Sequence, residues 1–242
     1  MIANFKYIKG PVYSRRLGKS LGIDLLSKNI CSEDCIYCEC GSTEILTLTR
    51  KEYVPTVKVI EELQQKLKSK PQCKYITFSG RGEPTLHSEI GVIINFLAEN
   101  YPEYNIAVLT NSTLLHRNSV QKELRNADLI VPSLDASTKK TFNKICRPVK
   151  EVEFSDLKQG IIDFSINFSG EIFLEILLLT NYNDSREEIE GFKKLIKKID
   201  PDRVDLNSLD RPPVEKDQVK KISREIMEKV RKELPGKVKI WR

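Results

Sequence analysis

The chain has 242 residues, of which 40% are hydrophobic and 31% are charged, and its formal net charge is +6. This length and composition suit a single folded domain with a sizeable core and exclude a low-complexity chain. No segment approaches the roughly 20 consecutive apolar residues that a membrane-spanning helix needs. The 6 cysteines are too few for a disulfide scaffold.

The positive charge is concentrated near the start of the chain. Residues 1–19 contain five basic residues and no acidic one, and the first few residues do not resemble a secretory signal. A basic balance permits nucleic-acid binding but does not require it. The helices predicted near the C-terminus mix both signs of charge, which is typical of a solvated face.

Strand-like and helix-like segments alternate along the chain, and the spacing of apolar residues predicts their bounds. The predicted strands are 20–25, 75–78, 106–110, 129–134, 171–179 and 203–209, with a short one at 237–241. The predicted helices are 56–68, 90–99, 119–125, 154–164, 186–198 and 219–234. Such alternation predicts an α/β fold with a parallel sheet. Periodicity alone does not choose between an open sheet and a barrel.

Three cysteines follow the first predicted strand. Cys31, Cys35 and Cys38 have the spacing C-x3-C-x2-C, with Tyr37 before the last of them. Three thiolates this close together can bind three irons of a [4Fe–4S] cluster, which leaves the fourth iron without a protein ligand. Structural zinc is the alternative, but it commonly takes four ligands in two pairs. Here Cys40 is the one nearby extra ligand, and the two histidines are distant in sequence.

A glycine-rich loop follows the second predicted strand. Its residues 79–86 read S-G-R-G-E-P-T-L, with Gly80, Gly82 and Glu83 inside the loop. Glycines let the backbone approach a ligand closely, and a carboxylate suits a cationic nitrogen. Taken alone the segment is an ordinary Gly-Pro loop, but it comes about forty residues after a three-cysteine motif.

Together these two motifs resemble the signatures of the radical S-adenosylmethionine (SAM) family. Residues 10–22, G-P-V-Y-S-R-R-L-G-K-S-L-G, and the S-G-x-G-E-P-T-L loop further resemble a group of small Fe–S oxidoreductases related to wybutosine-synthesising tRNA enzymes. The resemblance implies a partial (β/α)6 TIM-like barrel that spans 1–242 as one domain, with 1–19 as a basic N-terminal arm. It places the active site at the C-terminal ends of the strands, as in full barrels.

The resemblance also implies the cofactors and their ligands. Cys31, Cys35 and Cys38 are expected to bind a [4Fe–4S] cluster, and the open iron is expected to bind the amino and carboxylate groups of SAM. Polar residues at the ends of the predicted strands are the candidates for further SAM contacts, although turn chemistry alone also explains them. These cofactor-binding candidates are Tyr37, Gly80, Gly82, Glu83, Asn111, Ser112, Ser133 and Asp135.

Substrate residues are predicted from the remaining polar and reactive side chains. Arginines grip phosphate or carboxylate, so the substrate candidates are Arg15, Arg16, Asn207 and Arg211. A solvated arm with one structural ion pair is the alternative. Two further thiols, Cys40 and Cys146, are candidates for donating hydrogen to a substrate radical or carrying an intermediate, although free cysteines are often small buried apolar residues.

The resemblance therefore predicts a cytoplasmic radical SAM enzyme. A reduced cluster is expected to split SAM into methionine and a 5′-deoxyadenosyl radical that abstracts hydrogen from a substrate, for which tRNA is one candidate. A flavodoxin or a ferredoxin is the expected electron donor, and no membrane partner is expected. Two alternatives stay open at this point: a peptide or small-metabolite substrate, and a non-catalytic Fe–S electron carrier.

Overall fold

The computed structural model describes residues 5–209 and 219–241. Within these ranges the strands are β1 (Ile8–Ser14), β2 (Gly18–Ile23), β3 (Ile30–Cys31), β4 (Ile45–Leu46), β5 (Tyr75–Phe78), β6 (Asn105–Thr110), β7 (Leu129–Pro132), β8 (Glu171–Leu177), β9 (Arg203–Asn207) and β10 (Val238–Ile240). The helices are α1 (Thr56–Leu67), α2 (Ile90–Asn100), α3 (Asn118–Leu124), α4 (Lys139–Ile145), α5 (Phe154–Asn167), α6 (Arg186–Ile199) and α7 (Arg224–Glu233). No helix in the described ranges is both long and apolar enough to cross a bilayer.

The order of the strands in the main sheet follows their order in the chain. The sheet runs β1-β2-β5-β6-β7-β8-β9-β10, and every pair is parallel except the β1–β2 hairpin. A doubly wound open sheet would reverse this order at a switch point, and no reversal occurs among the described strands. Sequential parallel strands with helical crossovers are the topology of a barrel.

One ion pair shows that the sheet is strongly curved. Arg16, in the turn between β1 and β2, pairs with Glu175 on β8. Three strands separate β2 from β8, so a flat sheet would hold them roughly 19 Å apart at about 4.8 Å per strand. Leu17 also joins the same packed cluster as Phe173, which shares a face of β8 with Glu175. The sheet therefore closes into a partial barrel, as the family resemblance implied.

The core is divided into two parts by the sheet. A small cluster inside the barrel contains Leu17, Tyr75, Ala107, Leu129, Val131 and Phe173. The larger cluster lies between the sheet and the surrounding helices; α1, for example, buries Val59, Leu63 and Leu67 there. All four residues of β7 are buried, because its neighbouring strands and the two layers of core cover both of its faces.

The N-terminal segment forms an edge strand that the sequence analysis did not predict. Residues 1–19 were predicted to form a basic arm, whereas Ile8–Ser14 pair with β2 as β1. The hairpin turn then carries Arg16 into the barrel. Most of the described part of the basic segment, residues 8–14 and 18–19, therefore belongs to the sheet.

The last helix was predicted to begin too early. It begins at Arg224, and the side chain of Ser223 caps it by accepting a hydrogen bond from the Ile226 N–H. Lys221 instead makes a β-bridge with Leu179, so the residues before the cap are extended. Helix α4 was not predicted, because only Phe142 and Ile145 in this short helix are buried.

Truncating Leu17 tests whether the hairpin turn helps to close the barrel. Leu17 is 8% exposed. Replacing a leucine in a packed cluster with alanine typically lowers the free energy of unfolding by about 2–5 kcal/mol. Chemical denaturation of Leu17→Ala should show a loss of this size. Leu46→Ala, at a position that is 43% exposed, is the control and should change stability by less than about 0.5 kcal/mol. Equal small losses would contradict the packing of the turn inside the barrel.

Candidate functional site

The cysteine loop lies between two backbone pairings at the C-terminal ends of the parallel strands. On one side, the Glu83 N–H donates to the Ile30 carbonyl at 3.0 Å. On the other side, the Ile36 N–H donates to the Ile145 carbonyl at 2.9 Å, and the Val149 N–H donates to the Ser32 carbonyl at 2.9 Å. The residues around the cysteines are therefore held by main-chain hydrogen bonds from two distant segments.

Gly82 is required by the closeness of the first pairing. Its φ is +87°, and a Cβ built on it would lie 1.8 Å from the Ile30 carbonyl oxygen, far inside van der Waals contact. Gly80 also has a positive φ, and its carbonyl oxygen lies 3.6 Å from the Cys40 Sγ. The glycine loop therefore runs directly against the cysteine loop.

Glu83 ties the glycine loop to the end of β6. Its buried carboxylate accepts hydrogen bonds from the Thr85 N–H at 3.1 Å, the Thr85 hydroxyl at 2.6 Å, the Thr110 hydroxyl at 2.7 Å and the Asn111 N–H at 2.6 Å. Burial raises the pKa of Glu83, and these four hydrogen bonds act in the opposite direction. Four protein donors thus fix this carboxylate in place.

The side chain of Asn111 reaches the cysteine loop. Its Nδ2 donates to the Ser32 Oγ at 2.8 Å and approaches the Cys31 Sγ at 3.4 Å. The next residue, Ser112, has a positive φ of 72° and donates from its hydroxyl to the Ser133 carbonyl at 3.0 Å. The predicted residues at the ends of β6 and β7 are thereby brought together beside Cys31.

The half-buried Tyr37 pairs with the buried Asp135, and the pair joins the cysteine loop to β7 and β8. The Tyr37 hydroxyl donates to one Asp135 carboxylate oxygen, and the Leu177 N–H donates to the other at 2.6 Å. Burial raises the pKa of Asp135 to about 6, against the effect of these two hydrogen bonds. Tyr37 is therefore held by a hydrogen bond from its ring hydroxyl as well as by its position in the loop.

The cysteines offer a donor set that fits an iron–sulfur cluster. All six are free thiols, and Cys31, Cys35 and Cys38 are half-buried in one loop. Burial raises the pKa of Cys31, and a hydrogen bond with Cys146 together with burial raises that of Cys35. Metal binding is what makes such thiols give up their protons. Three accessible thiols on one preorganised loop suit a cluster with one open iron.

The predicted substrate residues meet in a polar cavity. Arg15, Arg16 and Asn207 line a cavity of about 280 Å³ together with Tyr13, Ser14, Glu39, Glu175, Leu177, Ser208 and Trp241. Burial lowers the pKa of Arg16, which the nearby Asp205 opposes. Arg211 lies outside the described residues. Because Glu39 follows Cys38 directly, the cavity reaches the cysteine loop.

The two cysteines predicted to take part in catalysis lie in different surroundings. Cys40 is exposed beside Gly80, whereas Cys146 is buried beside Cys35. Neither is among the described residues that line the arginine cavity.

Two acidic residues of the site were missed by the sequence analysis. Glu175 interrupts the otherwise apolar segment 172–179, and this interruption was a signal that it points into the barrel. Glu33 carried no such signal, because an acid between two cysteines looks like any solvated loop residue. It is buried because residues 145–149 pack along the loop.

Comparison with known proteins agrees with this geometry. A model of the radical SAM superfamily matches residues 25–196. The chain belongs to the radical SAM superfamily. Its members are enzymes that use a [4Fe–4S] cluster and SAM. The matched segment begins in the turn before the cysteine loop and extends through β8 into α6.

Two relatives and one solved structure show how far the likeness extends. The chain is 39% identical over 227 residues to a Brachyspira hyodysenteriae protein named GTPase Obg, covering 94% of this chain and 33% of that protein. It is 33% identical over 209 residues to UPF0026 protein MJ1312 of Methanocaldococcus jannaschii, covering 86% of this chain and 64% of the relative. A structure of TYW1 with a lysine-pyruvate adduct matches with a TM-score of 0.66 at 18% identity, over 90% of this chain and 74% of that one.

The GTPase name of the first relative has no counterpart in the described site. Gly18-Lys19-Ser20 resembles the end of a G-x-x-x-x-G-K-[ST] phosphate loop, but Tyr13 stands where the first glycine is needed. These residues also lie in strand β2 rather than in a loop before a helix. The chain spans only a third of that relative, so the name describes a much longer protein.

The raised pKa of Asp135 predicts a pH-dependent stability of the cluster-free radical SAM protein. The folded-state pKa, about 6, lies above the unfolded value of about 3.9, so the folded protein holds this proton to higher pH. The contribution of Asp135 to stability should be fully present below about pH 4 and should be lost as the pH rises to about 6. Asp135→Asn should reduce this loss by up to about 3 kcal/mol between pH 4 and 7, measured by urea unfolding. Identical pH profiles in the two proteins would contradict the assignment.

Proposed function

We propose that this radical SAM enzyme binds its cluster through Cys31, Cys35 and Cys38 and abstracts hydrogen from a substrate held in the arginine cavity. The observation that carries the proposal is the backbone hydrogen bond between Glu83 and Ile30, which joins the three-cysteine loop to the glycine loop. An open iron suits the amino and carboxylate groups of SAM's methionine part, and the nearby backbone groups of the glycine loop suit a hydrogen bond from the same amino group.

The roles of the polar residues follow from their contacts. The main chain at Gly80 and Gly82 faces the cysteine loop and is proposed to accept a hydrogen bond from the SAM amino group. Glu83, fixed by four donors, positions this loop and adds negative charge to it. Asn111, Ser112 and Ser133 are proposed to lie along the carboxylate and ribose, and Tyr37 with Asp135 along the adenine.

When bound, the reduced cluster supplies the electron that splits SAM into methionine and a 5′-deoxyadenosyl radical. The protein then has to exclude water and hold the target hydrogen close to the radical carbon. The arginine cavity is suited to this task because it reaches Glu39, next to the last cysteine. Cys40, exposed beside Gly80, is the better placed of the two spare thiols to donate hydrogen to a substrate radical.

The substrate itself is proposed from the shape and charge of the cavity. Its volume of about 280 Å³ suits one small polar group, such as a nucleobase presented by tRNA, a peptide side chain or a free metabolite. The resemblance of residues 10–22 to the group related to wybutosine synthesis favours tRNA. An electron carrier would need no such cavity. We propose a flavodoxin or ferredoxin as the electron donor, and a reducing cytoplasm as the compartment.

Single cysteine substitutions test the cluster ligands. Alanine at Cys31, Cys35 or Cys38 should abolish cluster assembly, because each removes one of only three thiolates. Cys40→Ala should retain about four irons per chain, measured by iron and sulfide analysis after anaerobic reconstitution. Loss of the cluster in Cys40→Ala would show that the ligand set is wrong.

Removing the two arginines tests the substrate cavity. Arg15→Ala/Arg16→Ala should retain uncoupled SAM cleavage but lose the extra 5′-deoxyadenosine that tRNA or cell extract induces. A lost charged contact costs about 1.5–3 kcal/mol, or roughly 10–100-fold in substrate affinity. Lys9→Ala/Lys19→Ala removes the same charge from exposed positions of the same hairpin and is the control. Equal responses of the two variants would mean that the effect is one of net charge.

A further inference from the structure

Three potential metal-binding side chains lie together beside the cysteine loop. One donor atom from each of Glu33, Cys35 and Cys146 lies within 4.8 Å of the other two. Two backbone-paired segments hold them in place, since the Asp34 N–H donates to the Cys146 carbonyl at 3.0 Å and Glu33 makes a β-bridge with Pro148. The main chain thus brings together the two segments that carry these side chains.

The surroundings of Glu33 favour a cation. Glu33 is 4% exposed and Cys146 is 3% exposed, and the Cys35 thiol donates to the Glu33 carboxylate at 3.3 Å. Asp135 and Glu83 are close enough to add negative potential at Glu33. A buried carboxylate among groups of its own charge gains most from a positive ion.

A small cavity adjoins two of these side chains, Glu33 and Cys146. Its volume is about 10 Å³, and it is bordered by Glu33, Asn111, Ser133, Leu134, Asp135, Phe142, Cys146, Phe154 and Leu157. This volume is close to that of a single water-sized sphere, so the space admits one ion or one water and no larger ligand.

The donor set indicates which ion fits. Two thiolates and one carboxylate, with room for one water, match the three-ligand form of a tetrahedral zinc site and also suit Fe²⁺. We propose that, in the cluster-free protein, Glu33, Cys35 and Cys146 bind a single thiophilic divalent cation such as Zn²⁺ or Fe²⁺. Binding displaces into solvent the thiol protons of Cys35 and Cys146 and the carboxyl proton that the buried Glu33 holds, and no electron is transferred.

The proposed site and the cluster compete for one residue. Cys35 cannot serve both as a ligand of the single ion and as a cluster ligand in the same geometry, so zinc at this site blocks cluster assembly. This competition, unlike the site itself, rests on the proposed cluster ligation by Cys35. Cys146 is a ligand of the proposed single-ion site and not of the proposed cluster, so substituting Cys146 distinguishes the two sites.

Cobalt binding to the anaerobic, cluster-free full chain tests the site. Wild type and Cys31→Ala should bind one Co²⁺ with the charge-transfer absorption of two thiolates. Cys146→Ala should lower Co²⁺ affinity by at least about a hundredfold, since losing even an outer-shell partner costs about 10–100-fold. Cys146→Ser, which keeps the size of the side chain, guards against misfolding and should show the absorption of one thiolate, with the fold checked by circular dichroism.

The possible results distinguish metal binding at this site from metal binding in the three-cysteine loop. Cobalt affinity that is unchanged in Cys146→Ala, or abolished by Cys31→Ala, would overturn the metal site, because the ion would then sit in the three-cysteine loop. Preloading with Zn²⁺ should block reconstitution in wild type and leave Cys146→Ala able to assemble its cluster. Failure of wild type to assemble any cluster without zinc would instead count against the proposed function and leave the cobalt result standing.

Discussion

The hydrogen bond from the Glu83 N–H to the Ile30 carbonyl is the contact on which the site depends. It brings the loop after β5 against the residue that precedes Cys31, and it is possible only because Gly82 has no Cβ. The same loop then continues into the Glu83 carboxylate, whose four donors extend the contact to the end of β6. One close backbone approach thus sets the positions of the proposed cluster loop and the proposed SAM loop together.

Buried acids give the site its electrostatic character. Burial raises the pKa of Glu33, Glu83 and Asp135, so each carboxylate is costly to ionise in the cluster-free protein. SAM brings a positively charged sulfonium to such a site, and this charge offsets that cost. On this account the acids are retained because the ligand is cationic, and the fold tolerates them because each also accepts hydrogen bonds from the protein.

The parts of this structure that depend on local pattern were predicted from sequence. The bounds of β5 were predicted without error, and the barrel expected from the family resemblance is confirmed by the strand order. The parts that depend on long-range packing were not. Helix α4 has too few apolar residues to show a period, and Glu33 becomes buried only when the segment after α4 packs along it.

The ends of the strands also divide into those that the sequence predicts and those that depend on long-range packing. Thr180 and Asn181 look like the polar end of β8 in the sequence, but β8 ends at Leu177, and the Thr180 hydroxyl donates to the Lys221 carbonyl away from the site. Asn111 and Asp135, which follow shorter strands, do reach the cysteine loop. Turn residues alone do not reveal which strand ends face the centre of a barrel.

The most direct test of the central claim is product analysis after reduction. Anaerobically reconstituted protein, reduced with a low-potential chemical reductant and given SAM, should form 5′-deoxyadenosine and methionine in equal amounts. Variants that lack one of the three cluster cysteines should form neither product. An intact and demonstrably reduced cluster that leaves SAM uncleaved would contradict the assignment of an open iron at the end of this barrel.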